Sequence, residues 1–130
     1  MTRLAYADAS ALVKLILPEP ESAALHRWYV EAERLVTSRA GVVETERAAR
    51  RRPHDEDQRM LILRGVEVLE LDAEIGRAAA LLEPASVRTL DAIHVASAQA
   101  LGSELDAFIT YDDRLADAAR SAGLTVVRPA

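Results

Sequence analysis

Four acidic residues stand where their chemistry could be pooled. Asp8 closes the short apolar run Leu4-Ala5-Tyr6-Ala7 and opens the run Ala9-Ser10-Ala11-Leu12-Val13, a strand-to-helix junction that faces the carboxyl edge of a sheet. Glu44 follows Thr37-Ser38-Arg39-Ala40-Gly41-Val42-Val43, Asp91 lies in Thr89-Leu90-Asp91-Ala92-Ile93-His94, and Asp112 lies in Ile109-Thr110-Tyr111-Asp112-Asp113-Arg114-Leu115. Each context could bring its acid to the same edge. Carboxylates about 5 Å apart at an effective dielectric near 20 cost roughly 3 kcal/mol per pair, so a four-acid cluster implies raised pKa values or a bound hard cation. The chemistry that follows is metal-assisted hydrolysis. A plainer reading exists for two of the four. Asp8 and Asp112 could simply cap helices, and such caps gather at one edge of any parallel α/β sheet. Glu44, inside a helix, and Asp91, in the first turn of a helix that reads as buried, are harder to explain that way, because buried carboxylates are rarely left unpaired.

The elements that must position these acids alternate along most of the chain. Leu4 to Ala7 reads as a strand and Ala9 to Leu17 as a helix stopped before Pro18. Residues 20 to 33 carry Leu25, Trp28, Tyr29 and Ala32 at helical spacing. Leu35 to Thr37 is a short strand, and Ser38 caps the helix that carries Glu44 to Arg52. After the break at Pro53-His54-Asp55, a helix runs to Arg64, Gly65 follows, and Val66 to Leu71 is a strand. Asp72 caps a helix expected to reach Glu83, where Pro84 ends it. Leu90 to Leu101 is apolar nearly all round, which predicts a buried helix terminated by Gly102. A strand at Ala107 to Thr110, a helix from Asp112 to Ala122 and a strand at Leu124 to Val127 complete the chain. Strands joined by helical crossovers predict a three-layer α/β/α domain with a central parallel sheet of four to five strands.

At 130 residues, the span 1–130 fits one domain with its own core. Half the residues are apolar but only 4% aromatic, which suits close-packed helices more than an aromatic-rich sandwich. The chain has no cysteine, so disulfides, thiolate catalysis and Cys-ligated zinc are excluded. No stretch approaches the roughly 18 apolar residues of a membrane span, and Asp8 interrupts any signal-peptide reading; a soluble, cytoplasmic protein is expected. The net charge of −5 argues against bulk electrostatic binding of nucleic acid, so such a substrate would need a local patch. Arg47, Arg50, Arg51 and Arg52, just beyond Glu44, could form one, although arginines at a helix C-terminus are more simply read as solvated.

Four segments together resemble the PIN-domain family, and within it the VapC ribonuclease toxins of toxin-antitoxin pairs. They are Tyr6-Ala7-Asp8-Ala9-Ser10-Ala11-Leu12-Val13-Lys14, Thr37-Ser38 with Glu44 six residues after the serine, Thr89-Leu90-Asp91-Ala92-Ile93-His94, and Thr110-Tyr111-Asp112-Asp113-Arg114-Leu115. The resemblance runs from Leu4 to about Val127. It implies an endoribonuclease dependent on Mg2+ or Mn2+, in which Asp8, Glu44, Asp91 and Asp112 match the family's acidic quartet and Ser10 and Thr110 match its small hydroxyl positions. Asp8, Asp91 and Asp112 are the expected metal ligands, direct or through water. The physical logic agrees, because hard divalent cations prefer oxygen ligands and keep several waters.

Other residues near the motifs carry alternatives. Asp113 rivals Asp112 but also suits a surface acid in a first helical turn. Glu46 lies near Glu44, yet residues two apart on a helix point different ways. Lys14 and Arg114 are candidates for substrate phosphate, with solvated or salt-bridged roles equally open. His94 invites a general-base role, but a packed histidine is the simpler expectation.

The resemblance also implies an RNA substrate, a homodimer and a cognate VapB-type antitoxin. An amphipathic antitoxin helix could lie in a groove at Leu12, Leu15, Ile16, Leu25, Trp28 and Tyr29, unless those side chains pack inward. Competing functions are a phosphatase using Asp8 as nucleophile, a phosphoacceptor module and a non-catalytic PIN-like binding module. The first usually wants a second acid two positions after the nucleophile, where Ser10 stands, and the second lacks a lysine near the last strands, Lys14 being the only lysine.

Overall fold

Residues 3–130 are described by a computed structural model. Its centre is a five-stranded, all-parallel sheet in the order β3-β2-β1-β4-β5, formed by β1 (Leu4–Ala7), β2 (Arg34–Ser38), β3 (Glu67–Leu69), β4 (Ala107–Ile109) and β5 (Val126–Val127). The crossovers contain α1 (Ala9–Ile16) and α2 (Ser22–Glu31) before β2, then α3 (Arg39–Arg50) and α4 (Glu56–Arg64) before β3. α5 (Ala73–Ala80) and α6 (Thr89–Gln99) precede β4, and α7 (Asp113–Ser121) precedes β5. The chain therefore has the expected α/β architecture. Among the described residues, no helix is long and apolar enough to cross a membrane.

Strand alternation divides β1 between two cores. Ala5 and Ala7 face a cluster built from Leu12, Leu15, Leu25 and Ile62 of α1, α2 and α4, while Leu4 and Tyr6 face Val95, Ala98, Leu115 and Ala119 of α6 and α7. Small residues on the first face let α1 approach the sheet closely. On the second, the Tyr6 ring stacks on Phe108 with centroids 5.2 Å apart and planes 9° from parallel.

Chain order fixes where a site can form. From β1 the chain steps outward to β2 and β3, then returns to the other side of β1 for β4 and β5. Helices leaving β1 and β4 thus diverge at their carboxyl ends, the crevice in which open parallel sheets place their ligands. Asp8 and Thr110 are the first residues past those two strands, and the Asp8 N–H donates to Ile109 O across the gap at 3.2 Å.

Several element ends differ from expectation. β3 is only three residues long because β2 offers it Val36, Thr37 and Ser38 as partners and then turns into α3. α5 stops at Ala80 rather than near Glu83, with Leu81 as its C-cap. α6 begins at Thr89 and ends at Gln99, and Gly102, at φ +63, opens a short 3-10 turn instead of closing the helix. Burial of α6 is one-sided at its start: Leu90 is exposed and Asp91 half-buried, with the buried run beginning at Ala92. β5 starts at Val126, two residues later than Leu124.

The groove expected for an antitoxin helix is corrected at four positions. Leu12, Leu15, Ile16 and Leu25 are buried in the core between α1, α2, α4 and the sheet, so they offer no surface. Trp28 and Tyr29 are half-buried against the same core.

Candidate active site

The site is organised around Asp8, which is only 4% exposed. It is the N-cap of α1, accepting the Ala11 N–H at Oδ1. Two hydroxyls complete its surroundings: Ser10 donates to Oδ1 at 2.7 Å and Thr110 donates to Oδ2 at 2.9 Å. Each hydroxyl is itself held by a backbone N–H from the β4–α7 junction, Tyr111 N donating to Ser10 Oγ at 2.8 Å and Asp112 N to Thr110 Oγ1 at 3.1 Å. The pattern is the same twice, from backbone N–H through hydroxyl to carboxylate. Burial nevertheless dominates and pushes the Asp8 carboxyl above its usual range, against the lowering influence of Ser10, His94, Thr110 and the Ala11 N–H.

Asp112, exposed, caps α7 through Leu115 N at 3.0 Å, and Asp91 stands half-buried in the first turn of α6. The Asp91 carboxyl is pushed up first by desolvation, then by the negative charge of Asp112 and less strongly by Glu44, while His94 and Arg114 pull it down. The charges of Asp112 and Glu44 thus act on Asp91, and Asp8 and Asp91 both feel His94. Among the described residues these acids do not close into a ready cluster of three or more His, Asp or Glu side chains able to hold a metal. A hydrated hard cation does not require one, since Mg2+ keeps several waters and needs only one or two carboxylates from the protein.

Glu44 is half-buried on α3 and faces His94, whose Nε2 lies 2.7 Å from Glu44 Oε1. His94 is buried, as expected, but its packing is polar: its Nδ1 sits 2.7 Å from the Tyr6 hydroxyl. Tyr6 was not among the residues singled out for chemistry, and its place at the centre of an apolar strand gave no sign of a polar partner.

A cleft of about 670 Å³ opens beside the acids, with Ser10, Lys14, Glu44, Arg47, Arg51 and Tyr111 on its walls. Among the described residues, Arg47 and Arg51 are not paired with a carboxylate, whereas Arg52 pairs with Glu19 at 3.1 Å and Arg59 with Glu46 at 2.6 Å. Lys14 is held by Glu19 at 3.4 Å and Glu21 at 3.2 Å and lies 4.7 Å from the Tyr111 ring centroid, so the salt-bridged alternative describes it. Asp113 is a surface acid, 91% exposed and paired with Arg128 at 2.7 Å, whereas Asp112 is the acid of that pair whose charge raises Asp91. Arg114 and Asp91 share a second, smaller cleft of about 340 Å³.

A doubly wound sheet with a buried aspartate at its switch point, and further acids on the helices α3 and α6 and at the start of α7, defines an acid-bearing α/β fold. The PIN domain family model matches residues 5–121. Ribonuclease VapC47 of Mycobacterium tuberculosis is 37% identical over 130 residues, covering 95% of this chain and 96% of the relative. Ribonuclease VapC46 of the same organism is 39% identical over 125 residues, with 95% and 96% covered. The chain belongs to the PIN domain family and, within it, to the VapC-type members. Solved structures agree on the fold: M. tuberculosis VapC20, described as a Sarcin-Ricin loop cleaving toxin, has a TM-score of 0.72 at 18% identity, covering 96% of this chain and 99% of that one. FitAcB from Neisseria gonorrhoeae has a TM-score of 0.69 at 16% identity, covering 94% and 95%.

Proposed function

We propose that the protein is an endoribonuclease that hydrolyses RNA phosphodiester bonds with the help of Mg2+ or Mn2+, and that it is the toxin of a toxin-antitoxin pair. The observation that supports this most is Asp8: a carboxylate buried at the switch point, oriented by Ser10 and Thr110, with its pKa raised. A group so placed is unfavourable as an isolated charge and gains from a cation. The donor set is all oxygen, which fits a hard divalent ion and not a soft one.

In this reading Asp8, Asp91 and Asp112 hold the ion. When bound, such an ion activates water and offsets charge that grows on the phosphate during displacement. Ser10 and Thr110 keep both Asp8 oxygens in fixed directions. Glu44, at the cleft wall, orients the attacking water or accepts its proton. Arg47 and Arg51, on the same wall, bind backbone phosphates outside the reacting bond and give an acidic protein a local patch for RNA.

Relatives named as VapC ribonucleases support the RNA substrate and an antitoxin partner, and a solved structure of FitAB bound to an IR36 DNA fragment has a TM-score of 0.70 to this chain at 14% identity, showing the shared fold. We extend the reading to a homodimer, for which the exposed Leu71 and Leu81 provide apolar surface, and to action in the cytoplasm. The test is incubation of purified protein with RNA in Mg2+, in chelator and with Asp8→Asn, followed by sequencing of new RNA ends. Discrete ends in Mg2+ alone support the proposal; equal cleavage in all three arms overturns it.

A further inference from the structure

A polar chain crosses the molecule from β1 through α6 to α3 behind the acids. The Tyr6 hydroxyl meets His94 Nδ1 at 2.7 Å, and His94 Nε2 meets Glu44 Oε1 at 2.7 Å. Both rings are locked. Tyr6 is fully buried, stacked on Phe108, and stands edge-on to the imidazole with centroids 5.8 Å apart. On the other side α3 passes so close that a Cβ added at Gly41 would lie 3.3 Å from His94 Cε1.

Hydrogen-bond directions along this chain follow from what each partner can do. The Glu44 carboxylate can only accept, which places the imidazole proton on Nε2 and leaves a lone pair on Nδ1 for the Tyr6 hydroxyl to donate to. A neutral imidazole can then orient a carboxylate without cancelling its charge, which an arginine or lysine in the same place could not do.

We propose that His94, its ring held by the Tyr6 hydroxyl at Nδ1, is a positioning residue that holds the Glu44 carboxylate in one orientation at the cleft. The proposal rests on the ribonuclease reading for its consequence in catalysis. A glutamate in the middle of an exposed helix face samples many rotamers; one tethered to a buried, stacked ring meets the substrate already placed, and such preorganisation contributes to rate rather than to binding. The tether also explains why β1 places a tyrosine in the middle of the sheet, since phenylalanine would fill the same apolar layer but leave Nδ1 without a donor.

Two complementary variants separate positioning from mere packing. His94→Gln keeps a donor near the Nε2 position, toward Glu44, and gives up the Tyr6 side; His94→Asn keeps a polar group near Nδ1 and gives up Glu44. Both lose one buried hydrogen bond and should melt at similarly lowered temperatures. His94→Asn is expected to lose about ten- to a hundredfold in kcat with KM unchanged, while His94→Gln retains most of its rate. Equal kcat in the two folded variants would overturn the proposal. Nitrogen-15 NMR of the imidazole, recorded on the metal-free protein, gives a readout independent of cleavage. The Nε2–H tautomer is expected in the wild type, with a shifted Nδ1 signal in Tyr6→Phe and a shifted Nε2 signal in Glu44→Gln. A proton found on Nδ1, or an Nε2 signal indifferent to Glu44→Gln, would equally overturn it. A wild-type protein that cleaves no RNA would instead defeat the ribonuclease reading, and the spectrum would still decide whether the tether exists.

Discussion

Thr110 donates its hydroxyl proton to Asp8 Oδ2 at 2.9 Å, joining the carboxyl ends of two neighbouring strands by a single side-chain bond. Thr110 Oγ1 in turn accepts the Asp112 N–H at 3.1 Å, so this one hydroxyl also fixes the start of α7. Thr110→Val preserves shape and removes both functions. An unsatisfied, partly buried N–H and a carboxylate deprived of a donor should together cost about 1–3 kcal/mol, and the Asp8 carboxyl should rise further in pKa. Thr110→Ser, which keeps the hydroxyl, should lose much less. Chemical denaturation of both variants, with cleavage rates measured under native conditions, checks the contrast.

Asp8→Asn separates charge from capping. Asparagine is as good an N-cap as aspartate, and its Oδ1 can still accept from Ser10 and Ala11 N. Its amide nitrogen then donates to Thr110, whose own proton can turn toward Ser10 Oγ, 3.3 Å away. RNA cleavage should fall by at least about a hundredfold, the scale on which a preorganised group acts on a transition state. Stability should move the other way. Because the folded Asp8 carboxyl has a raised pKa, the native state binds its proton more tightly than the unfolded chain does. Wild-type stability from this group is therefore fully present below the ordinary carboxylate pKa and declines as pH rises through the raised one. In chelator at neutral pH the variant should melt a few degrees above wild type, a response equivalent to roughly 1 kcal/mol in a domain of this size. The gap should close as pH falls below about 4. Calorimetry across that range shows whether it does.

What could be read from sequence was whatever had a local cause. Asp8, Ser38, Asp72 and Asp112 all cap the helices they were expected to open, because a short polar side chain before an apolar run satisfies its own backbone neighbours. The parallel sheet followed from the alternation of elements, and the order of its strands did not. The bond from Tyr6 to His94 joins residues 88 apart in the chain and has no local signature. Leu12, Leu15, Ile16 and Leu25 went astray as groove residues because amphipathic spacing says that a face is apolar without saying what covers it. Here the sheet covers it on one side and α4 reaches across α1, with Gln58 Nε2 donating to Leu15 O at 3.0 Å.

Gly41 sits inside α3, where helix propensity alone favours alanine by about 1 kcal/mol. Sterics oppose it: a Cβ there would clash with Thr37 Oγ1, a side chain with no exposure. Overpacking of this kind costs about 1–3 kcal/mol, so Gly41→Ala should be net destabilising in urea. It should also push α3 away from His94 and lower the cleavage rate of the folded protein. A stabilised, fully active variant would show that α3 can shift freely, and would count against a rigid seat for Glu44.

Arg47 and Arg51 are one helical turn apart, with Glu44 the preceding turn on the same wall of the cleft. The arginine cluster around them divides by partner: Arg52 is occupied by Glu19, whereas Arg47 and Arg51, among the described residues, face the cleft without an acid. If they bind phosphates of the RNA strand, each releases counterions on binding. Removing both as Arg47→Gln with Arg51→Gln should then weaken binding of an uncleaved RNA analogue and flatten its salt dependence by about 0.7 per lost contact, or roughly 1.4 in the slope of log K against log salt. Turnover of RNA at saturation should change little, because neither guanidinium is assigned to the reacting phosphate. The reverse result, an unchanged slope with lost turnover, would move the two arginines from the binding track to the reaction itself. Filter binding across a salt series, paired with single-turnover cleavage at saturating enzyme, distinguishes the two.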